Sequence, residues 1–212
     1  MIAYASRTGT KRNLAALREA GWRLMLSPAG EMRTEGFPLY SLDNGAWSAF
    51  SQKRPWDEAA FSDALERFGA RSDFVVVPDI VLGGMESLDL SLAWLPRVLD
   101  ASPVALIAVQ NGMTPANLSG LLSERVGVFV GGDDAWKEAT MGTWALAAHQ
   151  AGAWCHVGRV NSQRRLRLCQ MAGATSFDGS GPSRFEKHLR VMERGLAQRS
   201  FRLQGIEHAF SA

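Results

Sequence analysis

The sequence predicts a single compact (β/α)8 barrel. Eight short apolar segments recur along the 212 residues, and amphipathic stretches alternate with them. Several of the apolar segments are rich in β-branched residues, as parallel strands buried on both faces require. The length suits one large domain near the lower size limit of that fold. A doubly wound open sheet is the competing architecture, but no glycine-rich phosphate loop follows the first apolar segment.

The expected strands are Ile2–Ala5, Trp22–Leu26, Leu39–Leu42, Phe74–Val77, Val104–Val109, Val126–Val130, Ala153–Val157 and Thr175–Phe177. Helical spacing predicts helices over Arg12–Ala20 (Leu14 and Leu17 three apart), Asp57–Phe68 (Phe61, Leu65 and Phe68) and Ser87–Leu99. Further helices are expected over Pro115–Leu122, Ala135–Ala151, Ser162–Ala172 and Ser183–Gln198. Thr114-Pro115 reads as a capping hydroxyl before a proline at the first helical position, and Gly21, Gly69, Gly152 and Gly173 follow helix ends. Between Ser27 and Pro38, the residues Pro28, Gly30, Gly36 and Pro38 predict a loop in place of the second crossover helix. There is no repeat and no dividing linker. The barrel is expected over 1–204, with a short C-terminal tail over 205–212.

With 46% apolar and 21% charged residues, the composition is that of a globular protein and rules out disorder. No apolar run approaches the ~20 residues of a membrane span. The N-terminal MIAYASRTGTKRN lacks a secretory pattern, and two cysteines, Cys155 and Cys169, suit a reducing compartment, so the expected location is the cytoplasm, away from any membrane. The net charge of +2 is unevenly spread. Residues 158–204 carry ten Lys and Arg against three acids, a net of +7, while the remainder carries 13 against 18, a net of −5. Such a basic quarter reads either as a contact for a polyanion or as a set of solvated helix faces.

In a (β/α)8 barrel the active site lies at the carboxyl ends of the strands. Those ends carry Ser6-Arg7-Thr8, Ser27, Asp43-Asn44-Gly45, Pro78-Asp79, Gln110-Asn111-Gly112, Gly131-Gly132-Asp133, Gly158-Arg159 and Asp178-Gly179-Ser180. Any one Asp after a strand reads equally as a turn or cap residue. Three of them, Asp43, Asp79 and Asp178, converging with Gln110 on one rim read better as a polar pocket. Paired carboxylates suit chemistry at an anomeric carbon, one attacking or stabilising an oxocarbenium-like centre while the other moves protons on the leaving group. Of the four histidines only His156 lies on a strand, where it reads as a buried structural residue. The cysteines lack CxxC spacing, so no metal site is expected. Most of the seven tryptophans read as packing, but Trp47 follows Asp43 in a loop over the pocket, placed to stack on a base.

Taken in order, these motifs resemble those of the guanine transglycosylases. Leu42-Asp43-Asn44-Gly45-Ala46-Trp47 resembles the family's Asp-Ser-Gly-Gly-aromatic loop, and Phe74–Asp79 its strand ending in a base-recognising Asp. Val109-Gln110-Asn111-Gly112 resembles its Val-Gln-Gly-Gly turn, and Val130-Gly131-Gly132 its next Gly-Gly turn. His156–Asn161 followed by Ser176-Phe177-Asp178 resembles the Met-Gly-Val-Gly stretch and the strand ending in the nucleophilic Asp. The likeness spans roughly 39–184, departing at Gly179-Ser180-Gly181-Pro182, where the family has bulkier residues.

The resemblance implies Asp178 as nucleophile and Asp43 as general acid/base. It implies a base pocket of Asp79, Gln110, Gly131, Gly132, Asn44, Trp47 and Gly158, with Arg159, Arg164, Arg165 and Arg184 on phosphates. The family's tRNA enzymes carry a Cys/Cys/Cys/His zinc subdomain whose ligands are lacking here, so the likeness is closest to the short DNA-acting members of phages and bacteria. The implied reaction exchanges guanine in flipped or single-stranded DNA for a free 7-deazaguanine (preQ0 or preQ1 type) through a covalent glycosyl-aspartate. It needs no cofactor, and a helper ATPase or a second copy are candidate partners. Three other readings stay open: a tRNA-acting enzyme with a partner chain, a non-catalytic purine- or nucleic-acid-binding barrel, and an unrelated sugar- or phosphate-processing barrel.

Overall fold

Eight parallel strands hydrogen-bond in chain order and the last pairs with the first, closing a barrel. In this computed structural model the described residues are 1–207 except 8, 9 and 35, with side chains as far as Ala197. The strands are β1 (Ile2–Ser6), β2 (Arg23–Leu26), β3 (Tyr40–Leu42), β4 (Val75–Val76), β5 (Ala105–Val109), β6 (Val126–Val130), β7 (Cys155–Val157) and β8 (Ser176–Gly179). Outside them lie α1 (Lys11–Glu19), α2 (Ala46–Ser51), α3 (Glu58–Phe68), α4 (Met85–Ala101), α5 (Asp134–Gln150), α6 (Gln163–Ala172), α7 (Gly181–Arg184) and α8 (Glu186–Glu207). This is the expected (β/α)8 architecture. The described residues between β2 and β3 form no helix, as the proline and glycine spacing predicts.

Three elements differ from expectation. The Pro115–Leu122 segment makes only a 3₁₀ turn over Pro115–Leu118, because Ser119 turns extended and Gly120 takes a left-handed φ of 76°. The last helical stretch is broken at the extended Phe185, which separates α7 from α8. Helix α2 forms where only a loop was expected, and it carries Trp47 to the rim. The tail expected over 205–212 falls, from 208 on, outside the described residues, as do the side chains of Arg199 and Arg202. Among the described residues no helix is long and apolar enough to cross a membrane.

Strand alternation sorts the side chains into two layers. Outward residues such as Leu24, Leu42, Val75, Ile107, Val128, Val157 and Phe177 pack against the helices in the main core. Inward, Tyr4, Met25, Phe74, Val76 and Leu106 form a plug, with Phe129 and Trp154 packed against it. The plug has a polar base: the Tyr4 hydroxyl donates to Asp73 at 2.8 Å, and Arg23 pairs with the same carboxylate at 3.0 Å. Burial, reinforced by Asp73, pushes the Tyr4 phenol far above its ordinary range. The plug fills the amino-terminal half of the barrel, and a cavity occupies the other half.

Candidate active site

The cavity, about 530 Å³, opens among the loops that follow the strands. Asp43, Asn44, Trp47, Asp79, Gln110, Gly131, Gly132, Arg159, Asp178 and Arg184 line it, so the sequence-predicted carboxylates come together on one wall-to-wall space. Arg164, Arg165 and Gly158 do not line it.

Asp43 and Asp178 face the same cavity in opposite environments. Asp43 keeps some contact with the cavity but sits deep below the rim, bonded to the Gly45 N–H at 3.2 Å and near the Ser27 hydroxyl. Desolvation, then the negative charges of Asp178 and Asp79, push its pKa up to about 6. Asp178 instead accepts two N–H donors on one oxygen: Oδ1 lies 3.1 Å from His156 Nε2 and 3.1 Å from the Arg159 backbone nitrogen. The two carboxyls are thus held differently, Asp43 by burial beside like charges and Asp178 by neighbours on one oxygen.

The Arg159 donor depends on an unusual backbone. Arg159 has φ = 60°, a left-handed conformation uncommon for a residue with a β-carbon and concentrated at functional sites. The fully buried Lys137 of α5 holds the preceding Gly158 carbonyl at 2.8 Å, and burial lowers its ammonium pKa to about 8. A β-carbon on Gly158 would meet the Phe129 ring at 2.6 Å, and it would stand 3.5 Å from Asp178 Oδ1. Gly158 therefore serves the site by letting Phe129 pack closely, outside the cavity.

The opposite wall is a set of acceptors. Asn44 donates to Asp79 Oδ1 at 2.7 Å and to the Val77 carbonyl at 2.8 Å, and its own oxygen accepts from the Ala46 N–H at 2.8 Å. With donors and acceptor engaged, Asn44 is a buttress that orients Asp79. Burial pushes the Asp79 pKa up to about 6 against that donor. Gln110 Nε2 lies 2.9 Å from the Ile80 carbonyl and 2.7 Å from Ser87 Oγ. A carbonyl only accepts, which settles the amide orientation and leaves Oε1 as the group without a partner among the described residues. Within the expected base pocket Gln110 therefore offers an acceptor, its amide hydrogens being engaged. The Gly131 N–H does not face a base there, since it already bonds the Val109 carbonyl at 2.8 Å. The Gly132 N–H has no described acceptor and remains the backbone donor on that rim.

At the mouth, the Arg159 guanidinium lies 4.1 Å over the Trp47 ring and also bonds the Gly132 carbonyl. That face of Trp47, expected to await a base, is covered by Arg159. Arg164 and Arg165 reach away from the cavity: both bind Glu138, at 2.5 and 3.0 Å, and Arg165 also binds Asp134. Their place is the α5–α6 layer, where Glu138 and Asp134 pair with these two of the ten basic residues in the segment.

His156 is the residue that sequence reasoning missed. It is completely buried inside the barrel. The signal was present, because apolar Cys155 and Val157 face the helices and so turn His156 inward, beside the strand that ends in Asp178. Among the described residues no three or more His, Cys, Asp or Glu side chains are arranged to hold a metal ion.

The sequence matches no protein-family model and no curated protein. Among solved structures, a crystal structure of triosephosphate isomerase from Bartonella henselae at 1.6 Å resolution is similar to the chain. The likeness has a TM-score of 0.47 and 15% identity, over 85% of this chain and 91% of that one. The chain's own closed barrel, with a polar cavity at the carboxyl ends of its strands, is an architecture compatible with an enzyme.

Proposed function

We propose that this protein is a base-exchanging transglycosylase that replaces guanine in DNA by a 7-deazaguanine. The observation that carries the reading is the pair of carboxyls on one cavity, Asp43 buried with its pKa raised to about 6 and Asp178 engaged on one oxygen by His156 and the Arg159 N–H. A carboxyl raised by burial suits the acid, and one fixed by hydrogen bonds on a single oxygen suits the nucleophile. The Asp79 and Gln110 wall adds support, since two neighbouring acceptors suit the N1–H and 2-amino donors of guanine and reject adenine, whose corresponding edge presents N1 as an acceptor. The cavity volume suits one purine with its sugar.

The reaction runs by double displacement. The target nucleotide enters extruded or from a single strand, because C1′ is out of reach inside a stacked duplex. An Asp178 oxygen forms a bond to C1′ as the C1′–N9 bond breaks, and Asp43 gives its proton to departing guanine. A 7-deazaguanine then enters, loses its N9 proton to the Asp43 carboxylate, and attacks C1′, which returns the electron pair to Asp178. Arg159 and Arg184 at the mouth meet the flanking phosphates. No cofactor takes part in these steps.

The test is exchange of labelled guanine, and of preQ0 and preQ1, into single-stranded DNA, duplex DNA and tRNA, with nucleosides analysed by mass spectrometry. Incorporation into DNA, abolished by Asp178→Ala with purine binding retained, is the expected result. Incorporation into tRNA alone would transfer the reading to an RNA substrate. Purine binding with no exchange into any of the three would leave a non-catalytic barrel.

A further inference from the structure

A chain of hydrogen bonds runs beneath the cavity and ends on Asp178. Trp154 Nε1 lies 2.6 Å from Ser176 Oγ, Ser176 Oγ lies 2.8 Å from His156 Nδ1, and His156 Nε2 lies 3.1 Å from Asp178 Oδ1. An indole nitrogen can only donate, so Ser176 Oγ accepts from Trp154, and its second lone pair leaves the next bond open in either direction. The direction comes from the other end: as a nucleophilic carboxylate Asp178 can only accept, so Nε2 carries the hydrogen, and a neutral ring then leaves Nδ1 bare to accept the Ser176 hydrogen. The ring has no freedom to turn, being completely buried, with Phe129 stacked at 4.9 Å and Phe74 and Tyr4 at 5.1 and 5.7 Å.

We propose that His156 is a positioning residue that differentiates the two oxygens of Asp178. Together with the Arg159 N–H it engages Oδ1 and reserves Oδ2 for attack. Both donors fall on Oδ1, and among the described residues no donor reaches Oδ2. Rotation of the carboxylate would break two hydrogen bonds at once, so the nucleophile is held in one aim. This rests on the transglycosylase reading: Oδ2 forms the bond to C1′ as guanine takes the C1′–N9 pair, and Oδ1 stays on its donors throughout.

Two measurements test the proposal. In the first, ¹⁵N-histidine NMR of the wild-type protein reads the ring directly, without turnover. A protonated Nε2 with a bare Nδ1 is expected, and the opposite tautomer overturns the chain of bonds. The second compares His156→Phe, which removes the donor while keeping a planar ring, with His156→Gln, whose amide restores an N–H. Hydrogen bonds to charged groups predict a fall in kcat of about 10- to 100-fold for His156→Phe with KM for the base nearly unchanged, and recovery of most of it in His156→Gln. Equal losses in both variants, or a loss expressed in KM, would reduce His156 to packing and overturn the proposal. If wild type exchanges no base, or Asp178→Ala still exchanges it, the transglycosylase reading is what fails, and the nitrogen spectrum still decides the hydrogen-bond chain.

Discussion

At Asp43 a carboxyl is kept in a place that favours its neutral form, which has consequences for stability as well as chemistry. Its folded pKa of about 6 stands above the ordinary 3.8 of an unfolded Asp. Between those values the folded state holds a proton that the unfolded state has lost, so stability falls as pH rises through the window and the full cost is present above it. Asp43→Asn should therefore stabilise the fold by about 1–3 kcal/mol at pH 8 and by much less at pH 5, read from urea midpoints, while removing exchange activity. In the first half-reaction the same group acts as the acid. Release of guanine in a single turnover should decline as pH rises through about 6, the value to which Asp43 is raised. A pH-independent release would remove Asp43 from that role.

At the scale of the elements, strands were legible because each apolar run is flanked by turn residues, and their order alone closes the barrel. Short helices were not. Six residues with Trp47 and Phe50 exposed give α2 no buried stripe to read, while Pro115–Leu122 has the apolar spacing of a helix but is stopped by Gly120. The carboxylates were legible for the same reason as the strands, because each lies at or just past the carboxyl end of one. The partners of each side chain were not: that Asn44 buttresses Asp79, that Gln110 presents its oxygen, and that Arg164 and Arg165 serve Glu138 all depend on residues 23 to 35 positions away. The layer contacts make a prediction. Arg184→Ala should reduce the salt dependence of single-stranded DNA binding by about 0.7 in slope, as loss of one phosphate contact does. The pair Arg164→Ala and Arg165→Ala should leave that slope unchanged while lowering stability by about 1 kcal/mol or less per lost ion pair. A flattened slope from the pair would return them to the nucleic-acid footprint.

For the molecule as a whole, a cavity that takes a purine couples binding to folding. Free base at 100 times its dissociation constant should add about 2.7 kcal/mol, which in a chain of this size raises the thermal midpoint by roughly 5–10 °C. Asp79→Ala should erase most of that shift for guanine, and an unchanged shift would mean that the base sits elsewhere. The apolar plug of Tyr4, Phe74 and Leu106 bears on the order of events. It makes the barrel a cul-de-sac, so the outgoing and incoming bases share one doorway and one seat. Replacement has to wait for departure. Initial-rate plots against the two substrates should then be parallel lines, with free guanine competing against its own successor.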